Sequence, residues 1–280
     1  MENVEYVSDA EEDEQFEQWL QQVLDLRKSP RITRSGEGTR RVSEAMRRQL
    51  AEAYDHFAHG DTTQCLQSIR EMVCINAEFP EIYSLLTQVF EDRGETAKAL
   101  LARRLEADLL KTNVSKWVAC AQKSTELGRT EDAIYAYNRA IRVERLNTAL
   151  YWEKAQCLKA AGEPLKAIQT LERALENSSS NGPADVQRRE ESEQLRWTVA
   201  MWSYEIGESQ KSARMLRALI DDAEELNFTY LNGLGELYLK EEAWRDWVDY
   251  LREVSRRTRY SNFEPLSSPR EVQFIDILYK

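Results

Sequence analysis

Apolar positions through the middle of the chain recur at separations of three and four, and single glycines punctuate the runs. In ELGRTEDAIYAYNRAI, residues 126–141, Ala133, Tyr137 and Ala140 follow Gly128 at steps of five, four and three. Those steps lay the three side chains along one stripe of a helix that begins just after the glycine. The phrase repeats: Gly60, Gly94, Gly128 and Gly162 stand 34 residues apart. The pattern therefore predicts a series of helix pairs, each broken in the middle by its glycine.

Counting from fourteen residues before each glycine gives units at 46–79, 80–113, 114–147 and 148–181. The eighth position reads Ala53, Thr87, Ala121, Ala155, and the twentieth reads Cys65, Ala99, Ala133, Ala167. All eight are small, as facing positions of two closely approaching helices must be. Larger side chains fall between hairpins: Tyr83, Trp117 and Tyr151 at the fourth position, and Ile69, Tyr137 and Leu171 at the twenty-fourth. Glycine suits the end of a first helix because a left-handed residue there costs other residues more. A 34-residue period with these positions is the tetratricopeptide (TPR) pattern. The expected fold class is all-α, a TPR superhelix (α-solenoid) of about six helical hairpins.

Two places depart from the pattern. In the second unit the stripe falls on Arg103 and Glu106 while Leu101 and Leu105 read as the buried residues, which predicts a rotated or lengthened second helix. After Ala174 the register breaks at ENSSSNGPADVQRREESE, a polar run with glycine and proline. The next unit starts at 193 rather than 182, so about eleven residues are inserted, and Ala200, Gly207 and Ser212 restore the frame. A sixth unit, LNGLGELYLKEEAWRDWVDYLREV, puts Leu234, Gly235 and Tyr238 on a first helix and Leu251 and Val254 on a second, with Trp247 where a small residue is expected. The expected organisation is an acidic then basic flexible arm at 1–45, four in-register repeats at 46–181, a polar insertion at 182–192, two divergent repeats at 193–261 and a tail at 262–280.

Charge changes the picture at the front of the chain. The net charge is −11, which argues against wholesale coating of nucleic acid or an anionic membrane. Residues 1–26 carry nine acidic side chains and no Lys or Arg, while residues 27–48 carry eight basic against two acidic. Arg27, Lys28, Arg31, Arg34, Arg40 and Arg41 make a basic arm suited to nuclear import, to phosphate contact or to an acidic partner, with a solvated linker as the plain alternative. Phe16, Trp19, Leu20, Val23 and Leu24 form an apolar stripe at helical spacing in the acidic part. No secretory leader or membrane span is expected. The four cysteines, Cys65, Cys74, Cys120 and Cys157, lack paired spacing and read as reduced, packed thiols.

Candidate chemistry is sparse. His56 and His59 have HxxH spacing, but no Cys or carboxylate cluster completes a metal set, so packing or surface roles are favoured. There is no phosphate-binding glycine loop, nucleophile elbow or HExxH. No catalytic residue, metal, cofactor or small-molecule substrate is expected. Stacked hairpins line a concave groove with their first helices, and such grooves bind other proteins. The ninth positions, Tyr54, Gln88, Gln122 and Gln156, and their inward neighbours Phe57, Glu91, Trp152 and Lys159 are the candidate partner-binding residues. A chaperone adaptor clamping a carboxylate would need Lys or Arg at these positions in successive repeats, which the middle of the array does not present.

The runs CINAEFPEIYSLLTQVFEDRGETAKAL, WVACAQKSTELGRTEDAIYAYNRAI and YWEKAQCLKAAGEPLKAIQTLERAL, with the basic arm leading into AEAYDHFAHGDTTQCLQSI, resemble the TPR subunit of TFIIIC, the general transcription factor of RNA polymerase III. The resemblance spans roughly residues 34 to 260. It implies a nuclear, non-catalytic scaffold that assembles TFIIIC and recruits TFIIIB, with TFIIIB components and other TFIIIC subunits as partners and DNA reached only indirectly or through the arm. Family members are longer and carry a second TPR block, so the resemblance implies a fragment, a truncated product or a divergent paralogue. The alternative is a generic TPR adaptor, either a chaperone co-factor or a regulatory subunit of a modifying enzyme.

Overall fold

A computed structural model describes the backbone of residues 36–179, 186–223 and 227–258, and the side chains of 44–178, 189–223 and 227–254. Among the described residues every regular element is a helix: α1 Gly36–Ala58, α2 Thr62–Ile75, α3 Pro80–Asp92, α4 Thr96–Leu109, α5 Val114–Glu126, α6 Thr130–Val143, α7 Thr148–Ala160, α8 Pro164–Ser179, α9 Val186–Glu205, α10 Ser209–Asp222, α11 Phe228–Lys240 and α12 Trp244–Thr258. The chain is all-α and built of TPR-type hairpins. Local signals start the helices. Asp61, Asn113 and Asn227 accept from the backbone N–H of Gln64, Lys116 and Thr229, and Pro80 and Pro164 open α3 and α8.

The glycines end the first helices by one repeated device. Gly60, Gly94, Gly128, Gly162 and Gly207 all have φ between +69 and +83°. In the third pair the Gly128 N–H reaches the Thr125 carbonyl at 3.0 Å and the Arg129 N–H reaches Ser124 at 2.8 Å, the bond pattern of a Schellman cap. The Ala133 N–H then bonds the Arg129 carbonyl at 3.1 Å, so the turn that closes α5 also opens α6. In the sixth pair Glu242 takes the glycine's place, at φ +57°. Its backbone makes the same two bonds, Glu242 to Leu239 and Ala243 to Tyr238.

The chain divides into two compact units, residues 1–157 and 158–280, with the boundary inside α7. In the first, the small positions meet as the pattern requires: Ala53, Cys65, Ala121 and Ala133 have no exposed surface. The fourth-position aromatics do more than fill space. The Tyr83 hydroxyl donates to the Ala77 carbonyl at 2.8 Å, the Trp117 indole to Lys111 at 3.2 Å and the Tyr151 hydroxyl to Arg145 at 3.0 Å. Each ties its helix to the turn six residues earlier, which accounts for Tyr and Trp rather than Leu. In α1, the first described helix, Arg48, Ala51, Glu52 and Asp55 are exposed, whereas the equivalent Ile82, Leu85, Leu86 and Val89 of α3 are buried.

Helix α4 is not lengthened, having the same 14 residues as α2 and α6, and its Leu105 is buried as the sequence expectation has it. Ala99, Ala102 and Glu106 hold the stripe and are buried, with Leu105 beside them, and Leu101 is only half-buried. Glu106 tolerates burial because Lys116 Nζ lies 2.7 Å from it, and Arg103 reaches Glu91 at 2.7 Å. Helix α1 begins at Gly36, so Arg40 and Arg41, expected in the flexible arm, lie on helical backbone; RRVSEAMRRQLAEA is rich in strong helix formers.

In the second unit Ala200 and Ser212 are the buried small pair of α9 and α10. The sixth hairpin reverses the scheme. Trp247 of α12 is 1% exposed, and a Cβ placed on Gly235 of α11 would sit 3.0 Å from its ring. Glycine on one helix makes room for tryptophan on the other. Charge pairs link neighbouring hairpins in opposite senses: Arg104 to Asp132 at 3.3 Å in the first unit, Glu172 to Lys211 at 3.3 Å in the second. Both join the twenty-fifth position of one repeat to the nineteenth of the next.

Candidate partner-binding face of the first helices

Helices α1, α3, α5 and α7 are the first members of successive hairpins, and their ninth and twelfth positions, one turn apart, share a helix face. First helix α1 meets α3, and α5 meets α7, beside this face. A side-chain hydrogen bond joins Tyr54 on α1 to Gln88 on α3, and burial pushes the Tyr54 phenol above its ordinary range. Farther along, Thr125 Oγ1 on α5 donates to the Ala121 carbonyl at 3.0 Å and lies 3.4 Å from Cys157 Sγ on α7.

Seven of the eight candidate residues belong to the first unit. Tyr54 and Phe57 are half-buried and pack on the core of the first two hairpins. Gln88, Gln122 and Gln156 are exposed. Glu91 is neutralised by Arg103, and Trp152 is half-buried on α7. Lys159 lies in the second unit, where its Nζ is 2.6 Å from Glu205 and 4.6 Å from the Trp202 ring centroid. It is an engaged cation rather than an open anion-binding group. Arg27, Lys28, Arg31 and Arg34 lie outside the described residues, and for Arg40 and Arg41 only backbone is described.

The second unit holds residues at the same repeat positions that a candidate set drawn from the first four repeats missed. Trp197, Met201 and Tyr204 occupy the fifth, ninth and twelfth positions of α9, all half-buried. The Tyr230 ring lies 5.1 Å from Trp197, its hydroxyl donates to Glu193 at 2.6 Å, and Lys240 Nζ sits 4.7 Å from the Tyr204 ring. Applying the same count from residue 193 would have found them. At the ninth position α3, α5 and α7 present amides, where α9 presents Met201 between Trp197 and Tyr204.

The remaining candidates carry packing. His59 Nδ1 lies 2.7 Å from the Asp55 carbonyl and His56 is half-buried. Among the described residues no group of three His, Cys, Asp or Glu could hold a metal ion. Cys65, Cys120 and Cys157 are buried free thiols, while Cys74, expected to be packed, is exposed. Burial pushes the Cys65 and Cys120 thiols up to about 11. Among the described residues no helix is long and apolar enough to cross a membrane.

No protein-family model matches the chain. General transcription factor 3C polypeptide 3 of Homo sapiens is 25% identical over 169 residues, which are 60% of this chain and 19% of that protein. The match therefore spans about a fifth of the relative's length. Among solved structures, the MamA protein aligns with a TM-score of 0.40 at 14% identity, over 67% of this chain and 98% of that one. A tetratricopeptide repeat protein of Parabacteroides merdae aligns with a TM-score of 0.35 at 19% identity, over 79% and 81%. Those scores are too low to add to the fold reading, which rests on the hairpins themselves. The chain is a helical-repeat scaffold of TPR type, an architecture suited to protein interactions.

Proposed function

We propose that this chain is a non-catalytic scaffold of the RNA polymerase III transcription machinery, acting in the nucleus by assembling TFIIIC and recruiting TFIIIB. The observation that carries this reading is the 169-residue likeness to a human general transcription factor 3C polypeptide, falling on a chain of TPR hairpins. The partner-binding residues in this reading are Tyr54, Phe57, Gln88, Glu91, Gln122, Trp152 and Gln156 on the first helices, with Lys159 in the second unit and the basic arm as a separate element. Partners are proteins, TFIIIB components and other TFIIIC subunits, and DNA is reached through them or through the arm. An adaptor that clamps a terminal carboxylate is disfavoured, because Lys159 already pairs with Glu205 and the ninth positions of α3, α5 and α7 are neutral amides.

Affinity capture from a nuclear extract with residues 1–280 tests the proposal. Recovery of TFIIIB components or TFIIIC subunits supports it. Recovery of chaperones or of an unrelated modifying enzyme in their place overturns it.

A further inference from the structure

Helix α1 starts earlier than its place in the repeat requires. The first helices α3, α5 and α7 have 13 residues each, whereas α1 has 23, because it begins at Gly36, well ahead of the repeat frame at 46. At a rise of about 1.5 Å per residue, the extra length projects about 15 Å. Charge reverses over the same stretch. Residues 27–48 hold eight basic side chains, seven of them arginine, against Glu37 and Glu44, in a chain whose net charge is −11. Glu44, Ala45, Arg47 and Arg48 are exposed, and among the described residues neither arginine makes an ion pair. Farther along the helix the exposed charges are Glu52 and Asp55, so the cationic part ends at Arg48.

The repeat frame says what kind of neighbour suits this surface. Arg48 stands at the third position, which in α3 is Ile82, fully buried in the core of the first two hairpins. An apolar neighbour at α1 would strip water from an unpaired guanidinium, so the complement of this surface carries negative charge. The chain holds such a complement close by. Residues 1–26 carry nine carboxylates and no Lys or Arg, and only residues 27–35 separate them from the start of α1. Ser29, Pro30 and Ser35, followed by Gly36 and Gly38, are residue types that favour a change of chain direction. A nucleic-acid backbone would satisfy the same arginines, but it competes with a tethered segment whose effective concentration is on the order of millimolar.

We propose that residues 1–26 fold back onto the arginine-rich start of α1, pair their carboxylates with Arg40, Arg41, Arg47 and Arg48, and so withhold these arginines from nucleic-acid phosphates. The proposal goes beyond the scaffold reading and does not depend on which proteins the chain captures. The test titrates a short DNA duplex into the full chain at low salt. One variant, E11Q/E12Q/D13N/E14Q/E17Q, weakens the cover. A control, E208Q/E236Q/E241Q/E242Q/D246N, removes the same charge from exposed positions of the second unit. A cover closed nine-tenths of the time weakens apparent affinity about tenfold. The first variant should therefore bind the duplex about tenfold more tightly than the control, and adding R40Q/R41Q/R47Q/R48Q should abolish the gain with the melting of the hairpins unchanged. Without DNA, amide exchange over residues 36–48 should be faster in the first variant than in the unmodified chain. Equal affinity of the two neutralised forms, a gain that survives loss of the four arginines, or unchanged exchange over 36–48 would overturn the proposal.

Discussion

In the third hairpin Ala121 faces Ala133, both fully buried, and Gly128 ends α5 at φ +69°. In the sixth, Gly235 sits against the ring of Trp247, and Glu242 ends α11 at φ +57°. The interhelical gap is filled in both. One hairpin splits the volume between two methyl groups, and the other puts all of it on one side. The turn, however, is not equally well served, because a residue with a Cβ is held where glycine costs least. The comparison teaches that the repeat fixes a summed volume and a backbone shape, and that residue identity follows from them only in part.

The sharpest way to break the symmetry is Trp247→Ala. It empties a filled gap and should cost about 3–5 kcal/mol, whereas Ala133→Gly in the third hairpin removes one methyl; denaturant melts of the two variants compare them directly. Next in size are the overpacking changes. Ala133→Leu and Gly235→Ala should each cost about 1–3 kcal/mol, the latter because the new Cβ meets Trp247 at 3.0 Å. In a Trp247→Leu background Gly235→Ala should become neutral to stabilising, because alanine is the better helix former, and an unchanged penalty there would refute the compensation.

Alkali should separate the units. The buried Cys65 and Cys120 thiols, both in the first unit, are raised to about 11 from an ordinary value near 9. The folded state then holds protons that the unfolded chain has lost, so their contribution is intact below pH 9 and disappears as pH rises through 11. The slope should be about 1.4 kcal/mol per pH unit for each thiol across that window. The second unit contains no cysteine, and its Tyr230 phenol is pushed up from 10 to about 12, so hydrogen exchange should show its helices less affected between pH 9 and 10. The smallest expected effect is Glu242→Gly, which relieves the left-handed residue and should stabilise by about 1 kcal/mol, while Gly128→Ala should destabilise by a similar amount in thermal melts.

These contrasts also mark what the sequence discloses. The glycine period and the small positions were legible because helix caps and close helix approach impose local, periodic demands. The sixth hairpin was harder: Glu242 stands where the other repeats have glycine, and Trp247 reads as a violation until Gly235 is seen facing it. Glu106 was misjudged for another reason, since its stabilising cation, Lys116, belongs to the next hairpin and no local period encodes such a pairing. The candidate face was partly legible. The ninth-position count found the three glutamines, but the bond from Tyr54 to Gln88 and the engagement of Lys159 by Glu205 depend on tertiary geometry.

The most direct test of the account is amide hydrogen exchange on the chain alone and bound to the transcription proteins it captures. A scaffold that binds through its first helices predicts new protection concentrated on α3, α5 and α7, with α4 and α6 unchanged. Protection confined to α4 and α6, or none on any of the three first helices, would contradict it.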